Sequence, residues 1–217
     1  MKAKIVACKT MEDEILAIKP PEIDCEFMEY ALHRVPEKLT KALQEKLDAE
    51  AESDYDTILF GYGLCSNGVV GLVSHRQKLV IPRAHDCISL LLGSKIRYDE
   101  EFSSEPGTVY LTKGWIVNGA DPLSEFQRYS QQYGPENAQW VMDEQYRHYT
   151  RVLYIDTGIP EQEQWRKHAN DVAGYLKVKF GETTGANTYL RKLISGDWDE
   201  DFVVVPPGRP VDAMMFL

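Results

Sequence analysis

The stretch YDTILFGYGLCSNGVVGLV (residues 55–73) decides how this chain is read. Its first half carries the β-rich, almost wholly apolar run TILF (residues 57–60), the pattern of a strand buried on both faces. Its second half turns abruptly to glycine, serine and asparagine around Cys65. A doubly buried strand implies helices on both sides of a sheet, and sheets built that way are mostly parallel. In an open parallel sheet, ligands bind beyond the carboxyl ends of the strands. GYGLCSNG is therefore both the exit from a strand and the first place to look for chemistry.

Working outward, KLVIP (residues 78–82) repeats the strand signature, and KIVAC (residues 4–8) reads as the first strand. CEFMEYAL (25–32) follows two prolines as a second, and TVYLTKGWIV (108–117), RVLYIDTGIP (151–160) and DFVVVPPG (201–208) read as three more. Helical periodicity fills the gaps. VPEKLTKALQEKLDAEAE (35–52) places Leu39, Leu43 and Leu47 on one face with Pro36 in its first turn. TMEDEILAI (10–18) has Thr10 placed to cap it, and further helices are expected over 122–133, 136–149, 161–176 and 186–196. This alternation predicts an α/β fold: a mainly parallel sheet flanked by helices, Rossmann-like and three-layered. One domain over residues 1–217 is expected, with the only place to divide it near 118–136.

Composition narrows the function. The 217 residues carry a net charge of −10, from 34 acidic and 24 basic side chains. That balance argues against nonspecific binding to nucleic acid or anionic membrane, both of which need a cationic surface. The opening apolar run is too short for a signal peptide and no stretch is long enough to span a bilayer, so a cytoplasmic location is expected. There the four cysteines are thiols, core residues or metal ligands rather than disulfides. The terminal MMFL (214–217) suits docking on the core or on a second copy, compatible with a homodimer.

Reactive residues cluster at predicted strand ends. Cys8 ends the first strand, Cys65 lies just past TILF, and His85 and Cys87 follow KLVIP within RAHDC (83–87). Cys25 begins a strand and is set aside. Thiolate and imidazole are the preferred ligands of zinc, so Cys65, His85 and Cys87 form a metal-ligand set with Cys8 as a fourth member or nucleophile. Iron or an iron–sulfur cluster is the alternative. Without metal, Cys65 and Cys87 are both expected to open helices, whose N-termini would favour thiolate. Tyr62, Asn67, Arg83 and Trp115 are the substrate-contact candidates. The competing reading of each is bland: buried cysteines usually pack, and Trp115 suits a core. The glycines at 61, 63 and 68 miss both the dinucleotide and P-loop spacings, and are read as letting the backbone turn sharply and approach a ligand or another chain segment.

The blocks ILFGYGLCSNGVVGL, LVIPRAHDCISLLLGS, PGTVYLTKGW and GDWDEDFVVVPPG together resemble the family known as domain of unknown function 1638. The likeness spans residues 5–208 and matches the family's cysteine and H-x-C blocks at Cys65, His85 and Cys87, with Cys8 at the small-residue end of the first strand. Such a resemblance implies a cytoplasmic protein of anaerobes, associated with corrinoid-dependent methyl transfer. Zinc enzymes that pass methyl groups from a corrinoid to a thiol use an H-x-C pair and a distant cysteine, which extends the analogy. The corrinoid-binding signature D-x-H-x-x-G is absent, so a corrinoid would arrive on a partner protein. The expectation is a zinc protein acting on a small thiol or methylated substrate, enzyme or not; the alternative is a non-enzymatic accessory protein that binds metal or cofactor for a methyltransferase.

Overall fold

The computed structural model describes residues 2–217. In chain order its elements are β1 (Ala3–Cys8), α1 (Glu12–Ile18), β2 (Asp24–Met28), α2 (Pro36–Ala49), β3 (Thr57–Gly61), β4 (Lys78–Pro82), α3 (Cys87–Leu92), α4 (Lys95–Ser104), β5 (Thr108–Leu111), α5 (Lys113–Val117), α6 (Pro122–Tyr133), α7 (Pro135–Tyr146), β6 (Arg151–Asp156), α8 (Gln162–Leu176), β7 (Lys179–Thr184), α9 (Thr188–Ser195) and β8 (Phe202–Val205). They form two compact units, one running to Lys95 and resuming at Ala186, the other spanning Ile96–Gly185.

The first unit holds a five-stranded sheet in the order β2-β1-β3-β4-β8. Its first four strands are parallel, and β8 runs antiparallel against β4. Every residue of β3 is buried, as are Ile5 to Cys8 of β1. Burial of consecutive residues, whose side chains alternate faces, requires cover on both sides. The crossovers supply it: β1 steps to β2 through α1, and the chain returns past β1 to β3 through α2. Right-handed crossovers in opposite directions put those helices on opposite faces. Ile15 of α1 and Leu39, Leu43 and Leu47 of α2 are the buried anchors, each contributing roughly 2 kcal/mol of transfer free energy. The α/β, mainly parallel architecture expected from sequence is the one found.

The second unit contains a separate parallel sheet, β5-β6-β7. Val152 and Tyr154 of β6 pack with Leu111, Ile116, Val172 and Ala173 in one core, while α6 and α7 form an antiparallel hairpin. Asp121 caps α6 by accepting from the backbone N–H groups of Leu123 (3.0 Å) and Ser124 (3.2 Å), and it holds His168 of α8 at 3.1 Å. His168 thus ties two helices together.

The strands are divided between two sheets rather than joined in one, and residues 118–136 lie wholly inside the second unit. Two segments depart from the sequence reading. Strand β7, KFGETT, has no buried residue, so it lacks the hydrophobic signal used to find strands. TVYLTKGWIV was expected as one strand, but pairing stops at Leu111 and Lys113–Val117 coil into α5. Thr10 does not cap α1; Met11 occupies that position without a side-chain bond. The C-terminal residues dock through buried Phe216, while Met214 stays 69% exposed.

Candidate functional site

Strand β1 connects leftward in the sheet and β3 connects rightward, so the carboxyl ends of these neighbours flank a topological switch point, where α/β sheets open a crevice. Ala7 pairs with Gly61, which brings Cys8 and Tyr62 side by side as the two strands end. A Cβ on Gly61 would stand 2.5 Å from the Ala7 Cβ, so only glycine admits this contact. Beyond β3 the chain zips onto the loop leaving β4: Leu64 N–H donates to the Ala84 carbonyl (2.8 Å) and Cys65 N–H to the His85 carbonyl (2.9 Å). Gly63 permits that contact, since a Cβ there would lie 2.5 Å from the Ala84 oxygen and 3.0 Å from the Asp86 nitrogen. Gly61 and Gly63 therefore serve the close approach of another chain segment, one of the two partners the sequence reading allows.

This stitching sets Cys8, Cys65 and Cys87 at the same edge of the sheet as Tyr62, whose phenol is pushed well above its ordinary ionisation range, chiefly by burial. All three are free thiols, only 6%, 8% and 9% exposed. The Thr10 hydroxyl donates to Cys8 Sγ at 3.2 Å. The Tyr62 hydroxyl is buried with no hydrogen-bond partner. Asp86 caps α3 by accepting from Ile88 N–H at 2.9 Å, leaving Cys87 as the first helical residue.

Burial dominates the thiols. Desolvation raises Cys8 despite the donors from Thr10, pushes Cys65 up to about 12, and carries Cys87 well above its ordinary value; Asp86 adds to the rise at the last two. The expected depression by helix N-termini is reversed. Cys87 does open a helix, but Cys65 sits in a turn, and for a fully enclosed sulfur, loss of solvation outweighs the dipole of a short helix.

That turn is strained. Cys65, Ser66 and Asn67 have φ of 46°, 57° and 69°, three successive non-glycine residues in the left-handed region. Such a conformation costs on the order of 1 kcal/mol or more for each such residue. It is held by Gly68 N–H to the Cys65 carbonyl and Val70 N–H to the Asn67 carbonyl, both 3.0 Å, and by the Thr40 hydroxyl on the Gly68 carbonyl at 2.9 Å. Strain of this kind concentrates where a side chain must be aimed.

The remaining candidates divide. His85 lends its carbonyl to the frame and its side chain is exposed; Asn67 is exposed on the strained turn. Arg83 is committed elsewhere: its Nε donates to the Glu200 carbonyl at 2.8 Å and its Nη1 to the Met215 carbonyl. It clamps the C-terminal segment instead of lining the thiol cluster. Trp115 belongs to the second unit and packs on that unit's core. Sequence reading missed Thr10 as a sulfur donor and Glu14, a fully buried carboxyl on α1. The signal for Thr10 was its place two residues after Cys8; Glu14 gives none, lying in the acid-rich run EDE. Among the described residues, no three His, Cys, Asp or Glu side chains already stand in an arrangement that could hold a metal ion, and no helix is long and apolar enough to cross a membrane.

No curated protein and no solved structure matches the chain. One family model does, over residues 27–194, a span that includes Cys65, His85 and Cys87 and leaves Cys8 outside. With more than three quarters of its length matched, the chain belongs to the family described as Protein of unknown function (DUF1638).

Proposed function

We propose that the switch-point cluster is a soft-metal site, with Cys8, Cys65 and Cys87 as its sulfur ligands and zinc as the metal. The observation that carries this is convergence: three nearly buried thiols follow three neighbouring strand ends at one edge of the sheet, one of them already supplied with a hydrogen-bond donor, the Thr10 hydroxyl. Donors of this kind steady metal-bound sulfur and offset its charge. The donor set suits a soft or borderline ion. Because the side chains are not preset in ligating geometry, binding requires them to turn inward by rotamer change, and exposed His85 must swing toward them to serve as a fourth ligand. When bound, the ion supplies a Lewis-acid centre that keeps sulfur ionised near neutral pH. The chain's own residues hold the sulfurs, exclude water and fix the turn that aims Cys65. In this reading the site handles a small thiol or methylated compound in corrinoid-linked one-carbon metabolism, with any corrinoid brought by a partner protein.

The low exposure of all three sulfurs favours a second reading, in which the protein binds and delivers rather than turns over, as an accessory to a methyltransferase. Elemental analysis of protein purified without added metal tests the common core of both. One zinc per chain, lost in Cys65→Ser/Cys87→Ser protein that still folds, is the expected result; metal-free wild-type protein overturns both. Turnover with small thiols and methyl donors then separates enzyme from accessory.

A further inference from the structure

The second unit carries a cleft of about 600 Å³ formed by the C-terminal parts of α7 and α8 and the residues that follow them, a size that suits a small ligand. Tyr146, Tyr149 and Tyr175 line it together with buried Met142. The rings are held in place by their surroundings. Tyr146 and Tyr149 lie 5.1 Å apart at 56°, and the Tyr146 hydroxyl donates to the Glu125 carboxylate at 2.7 Å. Tyr175 packs on Phe126 with ring centroids 5.5 Å apart. Aromatic rings fixed before a ligand arrives lose little freedom on binding and offer π surface to a flat partner.

One cation on this cleft is uncommitted. Lys177 lines it, is exposed, and makes no ion pair or side-chain hydrogen bond among the described residues. It follows α8 in the position where glycine is usual. Lys177 N–H donates to the Gly174 carbonyl (3.3 Å), Val178 N–H to the Ala173 carbonyl (3.1 Å), and the Lys177 φ is 57°, a Schellman turn with lysine in its left-handed place. The dipole of α8 favours a positive charge there without neutralising it. The other cation of the lining, Arg147, is already bonded to Glu144 (3.2 Å) and His148 (3.0 Å). The one acid of the lining, Asp143, accepts from Gln139 at 2.8 Å.

We propose that this cleft binds a small planar aromatic anion, its ring stacked against the tyrosines and its carboxylate or phosphate paired with the Lys177 ammonium. A quaternary ammonium, the other guest that aromatic clefts take, would meet two cations against a single acid. None of Cys8, Cys65 and Cys87 belongs to the cleft, so this site stands or falls independently of the metal site proposed above.

Titration of the full chain with indoleacetate and adenosine monophosphate, followed by amide NMR shifts, tests the proposal. Indole and adenosine serve as neutral counterparts and tetramethylammonium as the cationic probe. At least one anion should bind and shift amides within 139–149 and 175–178, and which one binds tells carboxylate from phosphate. Its neutral counterpart should bind about tenfold more weakly, as expected for loss of one charge-assisted hydrogen bond. Lys177→Gly removes the ammonium and suits the left-handed turn, so the variant should fold as wild type. Its affinity for the anion should fall about tenfold while that for the neutral counterpart holds; Lys177→Gln gives the same comparison with a neutral side chain in place. Tyr149→Ala should weaken both ligands. Binding of neither anion, equal binding of anion and neutral counterpart, unchanged anion affinity in the Lys177 variants, or tighter binding of tetramethylammonium would each overturn the proposal.

Discussion

Gly63→Ala isolates the contact on which the site is built. Gly63 has no positive φ, so alanine can adopt its backbone conformation and the only new element is a methyl group. That methyl would lie 2.5 Å from the Ala84 oxygen, 3.0 Å from the Ala84 carbonyl carbon and 3.0 Å from the Asp86 nitrogen. All three are backbone atoms, so no side chain can rotate away. The loops must separate, which costs about 1–3 kcal/mol as overpacking. Parting them also stretches the bonds from Leu64 N–H to Ala84 and Cys65 N–H to His85, each contributing about 1 kcal/mol. A total near 2–4 kcal/mol lowers the melting temperature by roughly 5–15 °C for a chain of this length. Because the same loops enclose Cys65 and Cys87, their reaction with a bulky disulfide reagent should quicken while that of half-exposed Cys25 does not change. Gly71→Ala is the control: its methyl meets nothing within 4 Å but its φ is +85°, so strain alone should cost about 1 kcal/mol without altering thiol reactivity. A Gly63→Ala protein with wild-type melting and wild-type thiol reactivity would refute the close-packed loop pair.

Alkaline pH should weaken the metal-free fold. Cys65 is raised by burial from its ordinary 9.0 to about 12, so between those values the folded chain keeps a proton that the unfolded chain releases. Stability is complete below about pH 9 and falls as pH rises toward 12, on the order of 1 kcal/mol per pH unit; Cys65→Ser should flatten that decline in urea titrations, and an unchanged slope would contradict it. Arg83→Ala should release the C-terminal carbonyls of Glu200 and Met215, seen as faster amide exchange in the last residues with zinc affinity unaltered. Loss of zinc binding on that substitution would instead return Arg83 to the site.

Several parts of the architecture were legible because their burial is written locally. TILF and KLVIP are apolar without alternation, as strands covered on both faces must be, and each became a parallel strand of the first sheet. The Leu39, Leu43 and Leu47 spacing marked α2, and Pro36 marked its start. Strand β7 was invisible for the converse reason: it buries nothing, so partner strand β6 decides its pairing and composition does not. In TVYLTKGWIV the residues after Leu111 are β-prone, yet the chain coils at Lys113, a tertiary override of local preference.

The same boundary runs through the site. That Cys8, Cys65 and Cys87 follow strand ends could be read from spacing, because the carboxyl edge of a parallel sheet collects whatever follows its strands. Spacing carries no information on where a side chain turns once the strand is over. Only the folded chain placed the left-handed strain on Cys65, Ser66 and Asn67 while the nearby glycines were spent on close packing. It alone sent Arg83 to the C-terminal segment and enclosed the Tyr62 hydroxyl without a partner. Sequence by itself determined which residues reach the sheet's edge, through periodicity and burial that neighbouring residues share. Which of them meet there, and how far burial raises their thiols, was decided by contacts between segments distant in the chain, whose energies no local pattern encodes.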